Sequence, residues 1–470
     1  MISSSHRVAV LGAGLSGLRA AFELERCGFV VTVLEARAEV GGRAGGEWCA
    51  GHWMDVAWPV LAGRDVSLAR WARDLGSGDS LYPLRPVQTT LLQGGETTPV
   101  DGLCLRTAAQ IPGPRFWERP KLLRWGRLME RYASLLDPMF PERAADLDYR
   151  SMRDHAVLYF GKRNLEFWLA PEVQGAYGDS VEELSRVALL LQARALGLGE
   201  RRPGSPGLPR RPLLELAQAA AERLDIQRGT AVQRVDEEPA GGFRIETIDS
   251  AGRHDEASFD AIVVALGARQ AASVSAALLT PAEQDFFDAV AYRPVVTLSV
   301  AIEGVAGGLP TEARIPRREG STISSLIVEP GLPGGRVPEG RSQIVALARD
   351  AFADRWREMA DDVVEKNLMS SLELAMPGIG ERILTTRLGR GTTPCFQVGS
   401  YRRLATFQKV QRDRCALGRR LYWAGDYLSG PTFEAASLSG LRAANALAAD
   451  SEGPHLARSE FFKGLPGSAA

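Results

Sequence analysis

The chain has 470 residues, 56 Lys and Arg against 57 Asp and Glu, a formal net charge of −1 and a pI of about 6.6, which excludes the strongly positive field of an electrostatic nucleic-acid binder. Cys27, Cys49, Cys104, Cys395 and Cys415 show no C-x-x-C spacing, which fits a reducing compartment better than a disulfide framework, and the five histidines show no ligand spacing, which argues against a metal site or a histidine-based triad. No apolar run approaches the ~20 residues that span a bilayer, and "MISSSHR" runs straight into a strand with no room for a signal peptide. The expectation is a cytoplasmic protein, long enough for two cores, with no integral membrane segment, peripheral association left open and no internal repeats.

The first elements are predicted by "VAVLGAGLSGLRAAF", a β-branched run that meets three glycines and then turns amphipathic. In such a strand–turn–helix Gly12 permits the tight turn, Gly14 lets a pyrophosphate approach the backbone, and Gly17 lets helix and strand pack closely. Leu15 and Ser16 open the helix, where free N–H groups and the positive dipole end favour phosphate. A second strand, "VVTVLEAR", ends at Glu35. An acid there accepts from a ribose 2′-hydroxyl and repels a 2′-phosphate, which disfavours NADP and leaves NAD and FAD. After Arg37 comes a second glycine turn, Gly41-Gly42-Arg43, whose guanidinium suits a second approach to a pyrophosphate. A nicotinamide enzyme leaves that extra clamp unexplained.

With G-x-G-x-x-G, an acid at the end of the second strand and then G-G-R, the chain resembles the flavin amine oxidase superfamily. The resemblance implies an α/β fold. A Rossmann-type FAD-binding domain, discontinuous in sequence, would be interrupted twice by a mixed α+β substrate domain. On this reading residues 1–76, 212–270 and 380–449 form the FAD-binding domain, 77–211 and 271–379 the substrate domain, and 450–470 a tail.

Residues 77–211 read as mostly helical with Pro/Gly breaks, including the loop "GERRPGSPGLPRRP". Ser180 and Glu183 form a capping-box pattern for the helix that follows them. Next come a helix in "PLLELAQAAAERL", antiparallel strands in "TAVQRV" and "FRIETI", and a buried parallel strand in "DAIVVALGA". By the resemblance, Val232 is the valine whose backbone meets the adenine. The segment 271–379 shows a strand in "PVVTLSVAIEG", a loop-rich middle and one helix in "DRWREMADDVVEKNLMSSLELAM".

The last block, "LYWAGDYLSGPTFEAASLSG", reads as a short strand ending at Gly425-Asp426 and a helix beginning near Pro431. The resemblance gives Asp426 a ribityl hydroxyl. Backbone N–H groups of Thr432 and Phe433 would face the flavin pyrimidine, where two-electron reduction leaves negative charge.

Two segments bear on the branch. "VQGAYGDSVEELS" resembles the protoporphyrinogen oxidase pattern G-x-Y-x-G-D, while the G-D-Y of the last block is closer to carotenoid desaturases and amine oxidases. In amine oxidases a lysine precedes the strand that starts here at "AYRPVVTL", and the matching position is Pro294. Arg293 is expected on the opposite strand face.

The reading is an FAD-dependent oxidase or dehydrogenase that takes hydride from a substrate C–H, with oxygen or a quinone as acceptor. An apolar pocket and C–C or ring dehydrogenation fit the missing lysine; C–N oxidation to an imine is the alternative. The FAD is expected to be non-covalent, with Cys395 the one nearby candidate for a linkage, and no catalytic residue is assigned. A non-catalytic escort protein of the same fold, or an NAD-dependent dehydrogenase, would leave Arg43 and Asp426 without a role.

Overall fold

The computed structural model describes residues 6–61, 66–100, 111–197, 206–304 and 310–451. Cys104, residues 199–205 of the Pro/Gly loop and the tail from 452 onward lie outside the described residues.

Buried apolar strands build the first sheet. Its five strands run in the order Leu421–Trp423, Ala261–Val264, Arg7–Leu11, Val30–Glu35 and Asp225–Arg228, every neighbour parallel. Val8 through Leu11 and Ala261 through Val264 are buried on both faces, as continuous apolar runs in a parallel sheet require. The helices Leu15–Arg26 and Phe433–Asp450 lie together on this sheet. Their close approach depends on glycine. A Cβ on Gly17 would stand 1.9 Å from the Gly12 carbonyl oxygen, and one on Gly440 would stand 2.0 Å from that of Ser16. A three-stranded antiparallel sheet, Thr230–Glu237, Phe243–Asp249 and His254–Phe259, shares a core with the parallel one.

The larger sheet has seven strands in the order Ile383–Cys395, Ala291–Glu303, Arg341–Ala348, Ile323–Pro330, Thr311–Arg314, Gln88–Gln93 and Glu96–Pro99. All its neighbours are antiparallel except Thr311–Arg314 with Gln88–Gln93. A helical layer between Arg119 and Leu196 has its own core, centred on the clustered rings of Trp125, Phe160 and Trp168.

Several local expectations are corrected. The described part of 77–211 is mostly helical, as read, but it also contributes the hairpin Gln88–Gln93 and Glu96–Pro99 to the large sheet. The loop-rich middle after Glu303 contains three strands of the large sheet. Ile383–Cys395, inside the segment 380–449, pairs with Ala291–Glu303 in that same sheet rather than with the parallel one. The single helix expected over 354–376 is two, Asp350–Arg355 and Asp361–Ala375. Ser180 does not cap the helix Arg186–Leu196: Ser185 does, accepting from the Val187 N–H, while the Ser180 hydroxyl donates to Asp350. The last helix starts at Phe433, capped by Thr432.

Candidate functional site

A cavity of about 900 Å³ opens where the parallel strands end at Leu11, Glu35 and Val264. In open parallel sheets this is the end at which ligands bind. Gly12, Gly14, Leu15, Ser16, Glu35, Arg37, Gly41, Gly42, Arg43, Val232, Gly425, Asp426 and Phe433 all line it. Gly17 lies beneath the turn, and Thr432 faces a second cavity.

Gly12 N–H donates to Leu34 O of the second strand, and Gly41 N–H ties the second glycine turn to the first through Ala13 O, each at 2.8 Å. Glu35 is held by the same turns: Oε2 accepts from Ala13 N–H at 2.7 Å and Oε1 from Arg37 N–H at 2.9 Å. Each oxygen keeps a further lone pair for a hydroxyl. Gly14 differs from its neighbours, because a Cβ there would meet nothing within 4 Å. Its missing side chain leaves room on the cavity side, which is the cradle a pyrophosphate needs. The volume sits near the upper end of the roughly 300–1,000 Å³ usual for cofactor sites. These residues fit a dinucleotide.

At the other end Arg43 Nη2 pairs with Asp426 Oδ2 at 2.5 Å, and Nη1 donates to Thr393 Oγ1 at 3.4 Å. The Arg43 guanidinium is thus engaged with Asp426, while its own turn lies against Gly14 through the Gly14–Gly41 bridge. Burial pushes the Asp426 carboxyl above the usual carboxylate range, and Arg43 partly offsets this. Gly425 N–H donates to Ser439 Oγ at 2.9 Å, and Ser16 Oγ donates to Ala436 O at 2.8 Å. The Ser16 hydroxyl is thus committed to the last helix, which leaves its backbone as the group available to a ligand. Tyr292 was not singled out by sequence reasoning. Its hydroxyl accepts from Ala268 N–H at 2.9 Å at the cavity wall, and burial pushes it up to about 12. The "AYRP" segment was its only signal.

The second cavity, about 120 Å³, shares Arg43, Val56, Val295, Gly391, Thr392 and Phe433 with the first. Trp58, Val60, Leu61, Ala176 and Leu196 make the rest of its wall largely apolar. Its charged residues are mostly engaged with one another. Arg293 Nη1 pairs with Asp350 Oδ1 at 2.8 Å, and Arg314 bridges Glu172 and Glu312. Glu434 accepts from Ser67 N–H at 3.0 Å and Leu68 N–H at 2.9 Å. Arg293 does leave the face that carries Pro294, but it enters this second wall, while Pro294 lines the large cavity. Among the described residues no lysine lines either cavity. Cys395 lines neither, and burial raises its thiol to about 11.

Fold and site together give an α/β protein with a large cavity at the carboxyl ends of its parallel strands and a small, largely apolar chamber against it. The chain belongs to the flavin-containing amine oxidoreductase family, whose model matches residues 15–448. It resembles the structure of a protein from Exiguobacterium sp. 255-15 assigned as a protoporphyrinogen oxidase, with TM-score 0.71, 18% identity and coverage of 96% of this chain and 100% of that one. It is likewise similar to cyclohexylamine oxidase from Brevibacterium oxydans, with TM-score 0.69, 17% identity and coverage of 95% and 99%. At these identities the likeness is one of fold. The neurosporene-forming phytoene desaturase of Rhodobacter capsulatus is 32% identical over 108 residues, 22% of this chain and 21% of that protein. The chain thus matches about a fifth of the length of such curated relatives. No helix among the described residues is long and apolar enough to cross a membrane.

Proposed function

We propose that the chain is an FAD-dependent oxidoreductase acting on an apolar or conjugated small molecule at a C–C or ring position. When bound, FAD supplies the two-electron acceptor for a substrate C–H, with oxygen or a quinone taking the electrons onward. The chain's own residues bind and orient. Gly14 and the first helix turn would hold the pyrophosphate, Glu35 the adenosine ribose, Val232 the adenine and Asp426 the ribityl chain. Thr432 and Phe433 would present backbone N–H groups at the start of the last helix.

The observation that carries the C–C reading is the wall shared by the two cavities. Beside Arg43, Gly391 and Thr392 it offers Val56, Val295 and Phe433, with Pro294 on the large-cavity side and, among the described residues, no lysine on either. Pro294 has no N–H to donate, so the position that carries a lysine in amine oxidases orients no water here. Trp58 and Leu196 exclude solvent from the small chamber and position the substrate. C–N oxidation is the second reading, favoured by the carboxylates Glu172 and Glu312 in the wall of the small chamber, groups suited to an ammonium substrate.

The test is a side-by-side assay of peroxide release or flavin bleaching with primary amines, polyamines, porphyrinogens and polyenes. Turnover of a porphyrinogen or polyene without amine turnover supports the proposal. Rapid oxidation of simple amines overturns it in favour of the second reading.

A further inference from the structure

The segment 111–131 carries Arg115, Arg119, Lys121, Arg124, Arg127 and Arg131 against only Glu118 and Glu130, in a chain whose net charge is −1. Its inner face is fixed by packing: Leu122, Trp125, Leu128 and Met129 are buried in the helical-layer core. Its outer face is apolar as well as basic. Phe116 is 76%, Trp117 53% and Leu123 67% exposed, and Leu158 on a neighbouring helix is 60% exposed.

Bonds between the two segments bring these residues to one side. Arg163 Nη1 donates to Gly113 O at 2.9 Å, Arg124 Nη1 to Tyr159 O at 3.2 Å, and Asn164 Nδ2 to Glu118 O at 3.1 Å. Lys162 and Arg163 add two exposed cations at that junction. Phe116 and Trp117 stack edge to face at 4.9 Å, with the Arg115 guanidinium 5.1 Å from the indole. Single exposed apolar residues are normal on any protein. Here six of the thirteen large exposed hydrophobics among the described residues fall between Phe116 and Leu158. Clustering of that kind marks an interaction surface.

We propose that this face docks the protein on an anionic lipid bilayer, with Phe116, Trp117, Leu123 and Leu158 entering the interface and the surrounding Arg and Lys meeting lipid phosphates. The chemistry selects lipid on two counts. Amphipathic aromatic rings flanked by cations suit the headgroup boundary, where one side of the group is apolar and the other wet. Basic residues at a surface are attracted to anionic leaflets within a Debye length. A protein partner would call for acidic residues spaced to match these cations, whereas a lipid surface needs only net charge and insertable apolar groups.

The experiment is co-sedimentation of the full-length protein with vesicles of phosphatidylcholine alone or mixed with phosphatidylglycerol. Binding should appear with the mixed vesicles, weaken as salt is raised, and fall by at least about tenfold in the F116S/L123S double variant. Trp117→Phe should retain binding but lose the part of the tryptophan quenching that brominated lipid produces in the wild type, which locates the contact even if the double variant fails to fold. Absence of binding to the mixed vesicles would overturn the proposal. So would equal binding to both vesicle types, unchanged quenching in Trp117→Phe, or a face that instead holds two copies together, seen as a halved mass of the double variant in light scattering.

Discussion

Arg43 and Asp426 meet as an ion pair, 2.5 Å from Nη2 to Oδ2, at the wall between the two cavities. The second glycine turn and the turn that follows the strand Leu421–Trp423 are thereby tied together at the cofactor cavity. The pair is half open on the arginine side and well buried on the aspartate side. Truncation of Arg43 therefore leaves a carboxylate that already suffers desolvation, and its cost falls on Asp426.

If both residues serve FAD binding, Arg43→Met and Asp426→Asn should each weaken FAD affinity by about ten- to a hundredfold, the loss of one charge-assisted bond of about 1.5–3 kcal/mol. The double variant should lose less than the sum, with a coupling above about 0.5 kcal/mol. Fluorescence titration of the deflavinated protein measures all three. Strict additivity would show that the contact does not matter to binding.

Gly14 and Gly17 separate cofactor binding from folding. Gly14 has φ −73° and ψ 174°, which any residue adopts, and open space where a Cβ would go. Gly14→Ala should unfold within about 0.5 kcal/mol of wild type when FAD-free, yet bind FAD at least about tenfold more weakly. Gly17→Ala drives a methyl into the Gly12 carbonyl and should destabilise the FAD-free protein by several kcal/mol, on the order of the larger overpacking costs. Chemical denaturation with and without FAD distinguishes the two.

Glu434 carries the pH prediction. Burial raises its carboxyl from 4.5 to about 7, against the N–H groups of Leu68 and Ser67 and the charge of Arg19. A folded-state value above the unfolded one means that the folded protein holds the proton more tightly. The associated stability is complete below about pH 4.5 and is lost as pH rises through 7. Glu434→Gln cannot titrate. It should be less stable than wild type at low pH, by about 1–3 kcal/mol for the poorer fit to two N–H donors, and the gap should narrow toward pH 8. A gap that stays constant across pH in urea unfolding would show that Glu434 is not the titrating group.

Local chemistry explains what the sequence made legible. Gly12 is required by its positive φ at a strand end, and Gly14, Glu35 and Asp426 fall in short patterns at strand ends, so they are readable locally, and the parallel run Ala261–Val264 is apolar because both faces are covered. The hairpin 88–99 was not legible, because "QTTLLQ" and "ETTP" are threonine-rich and short, and the pairing of Gln88–Gln93 with Thr311–Arg314 is long-range. Ser180 was misread because its pattern matches a capping box, whereas in the fold Asp350 collects the Asp179 and Ser180 N–H groups and the Ser180 hydroxyl. The Arg314–Glu172–Glu312 cluster left no motif at all, since its members come together only through tertiary structure.

The central claim is that the large cavity holds FAD without a covalent bond. Cys395 lines neither cavity and its thiol is raised to about 11, so a linkage through it is disfavoured. The direct measurement is the visible spectrum of the purified protein, followed by acid precipitation and chromatography of the supernatant. The account predicts a yellow protein that releases FAD into the supernatant and leaves a colourless pellet. A coloured pellet would contradict the non-covalent assignment, and a protein that stays colourless and takes up no FAD on titration would contradict the account as a whole.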